Sequence, residues 1–97
     1  LFLRFKKNTT FLNMDISYWR KDIDELEDQI IALLNKRASY AVEIGKIKQE
    51  HGIPVLDATR EKEILDRVAL KTNGPLSPDS IRAIFKTIME ETRKVED

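Results

Sequence analysis

Arg37 stands in an apolar helical stripe where isoleucine or leucine would pack best. A guanidinium there is costly to desolvate unless an anion or a protein carboxylate meets it. Lys48 follows eleven residues later, about three helical turns, so both cations return to nearly the same face roughly 16 Å apart in rise. Long side chains at that spacing can converge on one small anionic ligand; the plainer reading gives Arg37 a carboxylate partner and leaves Lys48 solvated. Arg20, beside Trp19, lies seventeen residues before Arg37, about 25 Å along a helix and too far for both to hold one metabolite from the same chain. An antiparallel second copy would bring its Arg20 beside Arg37, and twofold symmetry would then make two equivalent pockets. Asp57, Arg60 and Glu61 cluster where a second helix begins, with Arg60 one turn before Ile64 on its inward side; the simpler alternative is a first-turn acidic cluster with a surface arginine. Thr92 and Glu96 continue the apolar face of a last helix beyond Met89, although Glu96 is penultimate, where fraying and solvation are the default.

Three helices position these groups. From Ile16 the apolar residues fall at Trp19, Ile23, Leu26, Ile30, Leu33, Tyr40, Ile44 and Ile47, a heptad pattern that Arg37 interrupts and that Leu34, Ala38, Ala41 and Val42 widen. With Asn13 or Asp15 as cap, the spacing predicts a helix over residues 15–50, near 50 Å at about 1.5 Å per residue. Such a rod is too long to be covered by two short helices of its own chain, so a second subunit is expected to share it. His51, Gly52 and Pro54 end it. A second helix, starting after Asp57 or Thr59 and reaching about Thr72, carries Ile64, Leu65, Val68 and Leu70 inward. Asn73-Gly74-Pro75 breaks the chain again, and Ser77-Pro78 reads as a cap followed by proline at the first helical position. Ile81, Ile84, Phe85, Ile88, Met89, Thr92 and Val95 form the stripe of a third helix running to the end. Gly45, inside the first helix, lowers stability by about 1 kcal/mol relative to alanine, which points to the close approach of another helix or a ligand.

Composition bounds the function. The 97 residues suffice for one domain and exclude a two-domain cofactor enzyme. Net charge is zero, with 17 Lys plus Arg against 17 Asp plus Glu, and the cations alternate with acids, which argues against a nucleic-acid binder. There is no cysteine and one histidine, His51, expected to be exposed in a turn without a role. Thiol chemistry is excluded, and neither a structural metal nor a cofactor is expected. Residues 1–13, LFLRFKKNTTFLN, are too short in their apolar run for a membrane span and lack the pattern of a secretory signal. They are expected to form an arm outside a main domain of residues 14–97, with Met14 a natural start.

Four segments in order, WRKDIDELEDQIIALLNKR, AVEIGKIK, PVLDATREKEIL and IFKTIMEETRKVE, resemble the all-helical chorismate mutases of the intertwined bacterial type, including the mutase domain fused to prephenate dehydratase. The resemblance covers roughly residues 15–97. It implies an all-α fold of three helices with one very long N-terminal helix, an intertwined homodimer, a cytoplasmic location and chorismate as the small-molecule partner. No cofactor, nucleic acid or membrane is implied. Residue by residue, it implies that Arg20 crosses from the other subunit and that Arg37, Lys48, Asp57, Arg60 and Glu61 line the pocket. Thr92 and Glu96 fall where some members carry serine and glutamine and others glutamate.

The implied reaction is an intramolecular rearrangement to prephenate in which an ether C–O bond breaks as a C–C bond forms, so no nucleophile, metal or redox group is required. The protein must hold the enolpyruvyl arm over the ring and stabilise charge growing on the ether oxygen. Arg20 and Arg37 then take the two carboxylates, and Lys48 and protonated Glu96 the ether oxygen. Asp57 and Glu61 serve the substrate hydroxyl, Arg60 reinforces the anion pocket, and Thr92 orients a carboxylate or a neighbouring side chain. Leu34, Ala38, Val42, Ile88 and Met89 offer apolar walls. Rival readings are a non-catalytic dimerisation or regulatory module, which leaves Arg37 without an anion, and a lyase that removes pyruvate from isochorismate.

Overall fold

In a computed structural model the described residues are 9–97, with side chains from residue 15 onward, and they form three helices and no strand. Helix α1 is Thr9–Glu50, α2 Ala58–Ala69 and α3 Pro78–Glu96.

Helix α1 thus begins six residues before the expected Asp15, inside the segment assigned to the arm. Asn13 and Asp15 do not stop it, because Leu12, Ile16, Trp19 and Ile23 keep one helical stripe running through both positions. Residues 1–8 of that segment lie outside the described residues. At its other end, Gly52 adopts a positive φ of 67° and the Ile53 N–H donates to the Lys48 carbonyl at 2.8 Å, closing the helix through a glycine in the left-handed region. This turn sends the chain back past the side chain of Lys48.

Asp57 is the N-cap of α2, its carboxylate accepting from the Arg60 N–H at 3.0 Å. The helix closes at Ala69, short of the expected Thr72. The N–H groups of Leu70 and Lys71 bond back three residues to Arg67 and Val68, which tightens the last turn and leaves Leu70 86% exposed rather than inward. Ser77 caps α3 by accepting from the Ser80 N–H at 3.0 Å, and Pro78 occupies the first turn as its spacing predicted.

The chain divides into two units, Leu1–Leu33 and Leu34–Asp97. In the first, Ile16, Trp19, Ile23, Leu26, Ile30 and Leu33 of the heptad stripe are all exposed. In the second, α2 packs on α3: Ile64 and Val68 meet Met89, flanked by Leu65, Ile81 and Phe85. Among the described residues no large side chain is fully buried, so this core is small.

Gly45 is buried in α1 against the end of α3. A Cβ there would lie 2.5 Å from the Glu96 carbonyl oxygen and 2.9 Å from its Cα, so only glycine permits this approach. The close contact expected of Gly45 is therefore with the residue that ends α3.

Candidate functional site

A cavity of about 310 Å³ opens between the C-terminal part of α1, the start of α2 and the second half of α3, within the unit Leu34–Asp97. That is the scale of a small-molecule site. Helix α1 contributes Arg37, Tyr40, Ala41, Ile44 and Lys48, whose spacings of three, four and seven place them along one face. Asp57, Arg60, Glu61 and Ile64 come from α2 and its cap, Met89, Thr92, Arg93 and Glu96 from α3.

Of the sequence-derived candidates, Arg37, Lys48, Asp57, Arg60, Glu61, Thr92 and Glu96 are brought together here. Arg20 is not among the lining residues; it lies in the unit Leu1–Leu33, exposed on α1.

Arg37 is half-buried, and its partner is the Thr92 hydroxyl rather than a carboxylate, with Nη1 donating to Oγ1 at 3.2 Å. Thr92 in turn donates to the Ile88 carbonyl at 2.6 Å. A neutral hydroxyl thus orients the guanidinium without neutralising it, and its remaining N–H groups are available to an anion.

Lys48 Nζ donates to the Val55 carbonyl at 2.7 Å and to Glu96 Oε1 at 3.2 Å. The two side chains are only 15% and 11% exposed, so Glu96 is not the solvated terminal acid that its penultimate position suggests. It is held from two sides, by Lys48 and by the backbone approach at Gly45. Two of the three ammonium protons are used, and the third is left for a ligand.

On α2, Asp57 is engaged as the N-cap, so its side chain first of all builds the helix that carries Arg60 and Glu61. Arg60 is more than half exposed at the cavity edge, 3.6 Å from Glu63. Glu61 pairs with Arg93 of α3 across the cavity wall, both side chains partly buried.

Arg93 was missed in the sequence. Its signal is the four-residue ladder Ile81, Phe85, Met89, which Arg93 extends by one further step on the face that packs against α2. Tyr40, Ala41 and Ile44 were read as seam or stripe residues and prove to wall the cavity. Of the apolar walls named from sequence, only Met89 lines it; Leu34, Ala38, Val42 and Ile88 do not.

The cavity therefore sets four cations, Arg37, Lys48, Arg60 and Arg93, against three carboxylates, Asp57, Glu61 and Glu96, beside apolar Ile44, Val55, Ile64 and Met89. It can bind an amphipathic anion, with directed donors at Arg37 and Lys48 and an acceptor at Glu61.

Residues 19–97 match the family described as chorismate mutase type II. A chorismate mutase from Thermus thermophilus has the same fold with a TM-score of 0.82 and 33% identity, covering 84% of this chain and 93% of that one. A Helicobacter pylori chorismate mutase, solved in complex with prephenate, gives 0.77 and 30%, covering 84% and 88%. Among curated relatives, a bifunctional chorismate mutase/prephenate dehydratase from Aquifex aeolicus is 41% identical over 82 residues, 79% of this chain and 22% of the relative. A chorismate mutase from Methanocaldococcus jannaschii is 45% identical over 49 residues, half of each chain. The matched region thus spans half or less of these curated relatives' length.

Proposed function

Because the chain belongs to the chorismate mutase type II family, we propose that it catalyses the rearrangement of chorismate to prephenate, using a site that two copies of the chain build together. The observation that carries this reading is the convergence of Arg37 and Lys48 on one cavity with Glu96 between α1 and α3. The prephenate held by the Helicobacter pylori relative is a ligand of the chemistry this cavity suits.

Chorismate carries two carboxylates, an ether oxygen and a ring hydroxyl. Arg37, oriented by Thr92, binds one carboxylate bidentately. Arg20 from a second copy takes the other, since within the cavity Arg93 is held by Glu61, Arg60 is turned to Glu63 and Lys48 serves the ether oxygen. Arg60 at the rim adds to the attraction.

As the ether C–O bond breaks and the C–C bond forms, negative charge grows on the ether oxygen. The third proton of Lys48 meets it there, and Glu96 in its acid form donates a second hydrogen bond. The Lys48 ammonium is preorganised by the Val55 carbonyl, so little reorganisation is needed at the moment of reaction. Glu61 accepts from the ring hydroxyl, near the helix start that Asp57 caps. Tyr40, Ile44 and Met89 press the enolpyruvyl arm over the ring, which holds the substrate in a near-attack conformer.

Pairing of two copies also covers the exposed stripe of α1. No helix among the described residues is long and apolar enough to cross a membrane. Incubation of the pure protein with chorismate and quantitation of prephenate tests the reaction. Prephenate without pyruvate is expected, pyruvate release from isochorismate would move the assignment to the lyase, and no turnover of either would leave a binding module.

A further inference from the structure

Arg93 lines the cavity, is partly buried and has Glu61 as its partner, and the roles assigned above leave it unused. The two residues stand on different helices, α3 and α2, so their pairing fixes a side chain across the site rather than along one helix. Arg60, the cation adjacent to Glu61 in sequence, is turned to Glu63 and remains more than half exposed. Glu61 is therefore held from the opposite wall. The contact uses Oε2 of Glu61, which leaves Oε1 as an acceptor.

Charge makes the arrangement necessary. A carboxylate with no partner in a cavity meant for a dianion would repel its ligand, and it would also sample several rotamers. A guanidinium on one oxygen removes the first problem and restricts the second.

We propose that Arg93 is a positioning residue that sets substrate specificity: it pins Glu61 so that the free oxygen accepts a hydrogen bond from the ring hydroxyl of the substrate. This rests on the mutase reading above. Arg93 itself acts through Glu61 and not on the substrate carboxylates.

The test compares two substrates, chorismate and an analogue lacking the ring hydroxyl, on wild type, Arg93→Met, Arg93→Lys, Glu61→Gln and the Arg93→Met/Glu61→Gln double variant, each checked for helicity by circular dichroism. With chorismate, Arg93→Met should lower kcat/KM about tenfold, the scale of one hydrogen bond to a charged group, and Arg93→Lys should recover part of it. With the analogue, an anion of the same charge that feels only the unpartnered Glu61 carboxylate, Arg93→Met should lose several-fold less than with chorismate, and the double variant should be no slower on chorismate than Glu61→Gln, because coupled residues are not additive. An equal loss on both substrates, or losses that multiply in the double variant, would overturn the role. If Arg93→Met does not fold, Arg93→Lys is read on the same two substrates with the same outcomes. A wild type inactive on both substrates would instead overturn the mutase assignment and this role with it, whereas an active wild type with multiplying losses overturns the role alone.

Discussion

Lys48 and Glu96 form the part of the site where charge develops in the proposed reaction, and Glu96 can serve it in only one protonation state. As a carboxylate it accepts from Lys48, as at 3.2 Å here, and repels an electronegative ether oxygen; as an acid it donates to that oxygen. Glu96→Gln, a donor in either case, should therefore retain kcat/KM near neutrality, whereas Glu96→Ala should lower it about tenfold. Steady-state kinetics of the two variants decide this; an undiminished Glu96→Ala would remove Glu96 from the mechanism and leave Lys48 as the donor. Arg37→Ala should lower kcat/KM by about 10²–10³, since it removes a preorganised donor, yet change stability by no more than about 1 kcal/mol, because its partner Thr92 is neutral and no buried carboxylate is orphaned. Kinetics paired with thermal unfolding separate these effects. Arg37 was legible as a charge in an apolar stripe. The Glu61–Arg93 pair was not, because its members are 32 residues apart and a pairing at that distance is set by how α2 docks on α3.

Among the helices, the join between α1 and α3 is set by one missing methyl group. Alanine at position 45 would favour helix α1 by about 1 kcal/mol in intrinsic propensity, but its Cβ would fall 2.5 Å from the Glu96 carbonyl oxygen, so the end of α3 must withdraw. Gly45→Ala is accordingly expected to weaken turnover more than stability: Ile64, Val68 and Met89 are untouched, whereas the Lys48–Glu96 pair is displaced. Amide exchange in the last turn of α3 should accelerate alongside the fall in kcat. A rise in melting temperature with unchanged kcat would show that the approach is not maintained in solution. Caps and breakers made α2 and α3 readable, Asp57 and Ser77 falling where their side chains suggested. The start of α1 was misjudged because a capping residue type marks a boundary only where the apolar period also stops, and here it continues through Leu12.

The described chain as a whole leaves most of its large apolar side chains exposed. On α1 alone, twelve are exposed, from Ile16 to Ile47, against a core of three buried residues between α2 and α3. Burial on that scale cannot by itself support an independent domain, and apolar side chains exposed in this number call for a covering surface. A homodimer at micromolar concentration is expected, with a folded monomer of 11.3 kDa by light scattering as the contrary result. The sharper test uses the site. If Arg20 of one copy completes the cavity of the other, Arg20→Ala and Arg37→Ala homodimers each lack a cation in both sites. A mixed dimer concentrates both losses in one site and leaves the other intact, because the cavity of the Arg20→Ala chain retains its own Arg37 and receives Arg20 from its partner. Mixing the two inactive proteins under conditions of subunit exchange should therefore restore activity, approaching about half the wild-type rate per mixed dimer when the two sites work independently. Heterodimers that form, as shown by mass spectrometry of differently tagged chains, yet turn over no faster than either parent would place Arg20 outside the site and require another partner for the second substrate carboxylate.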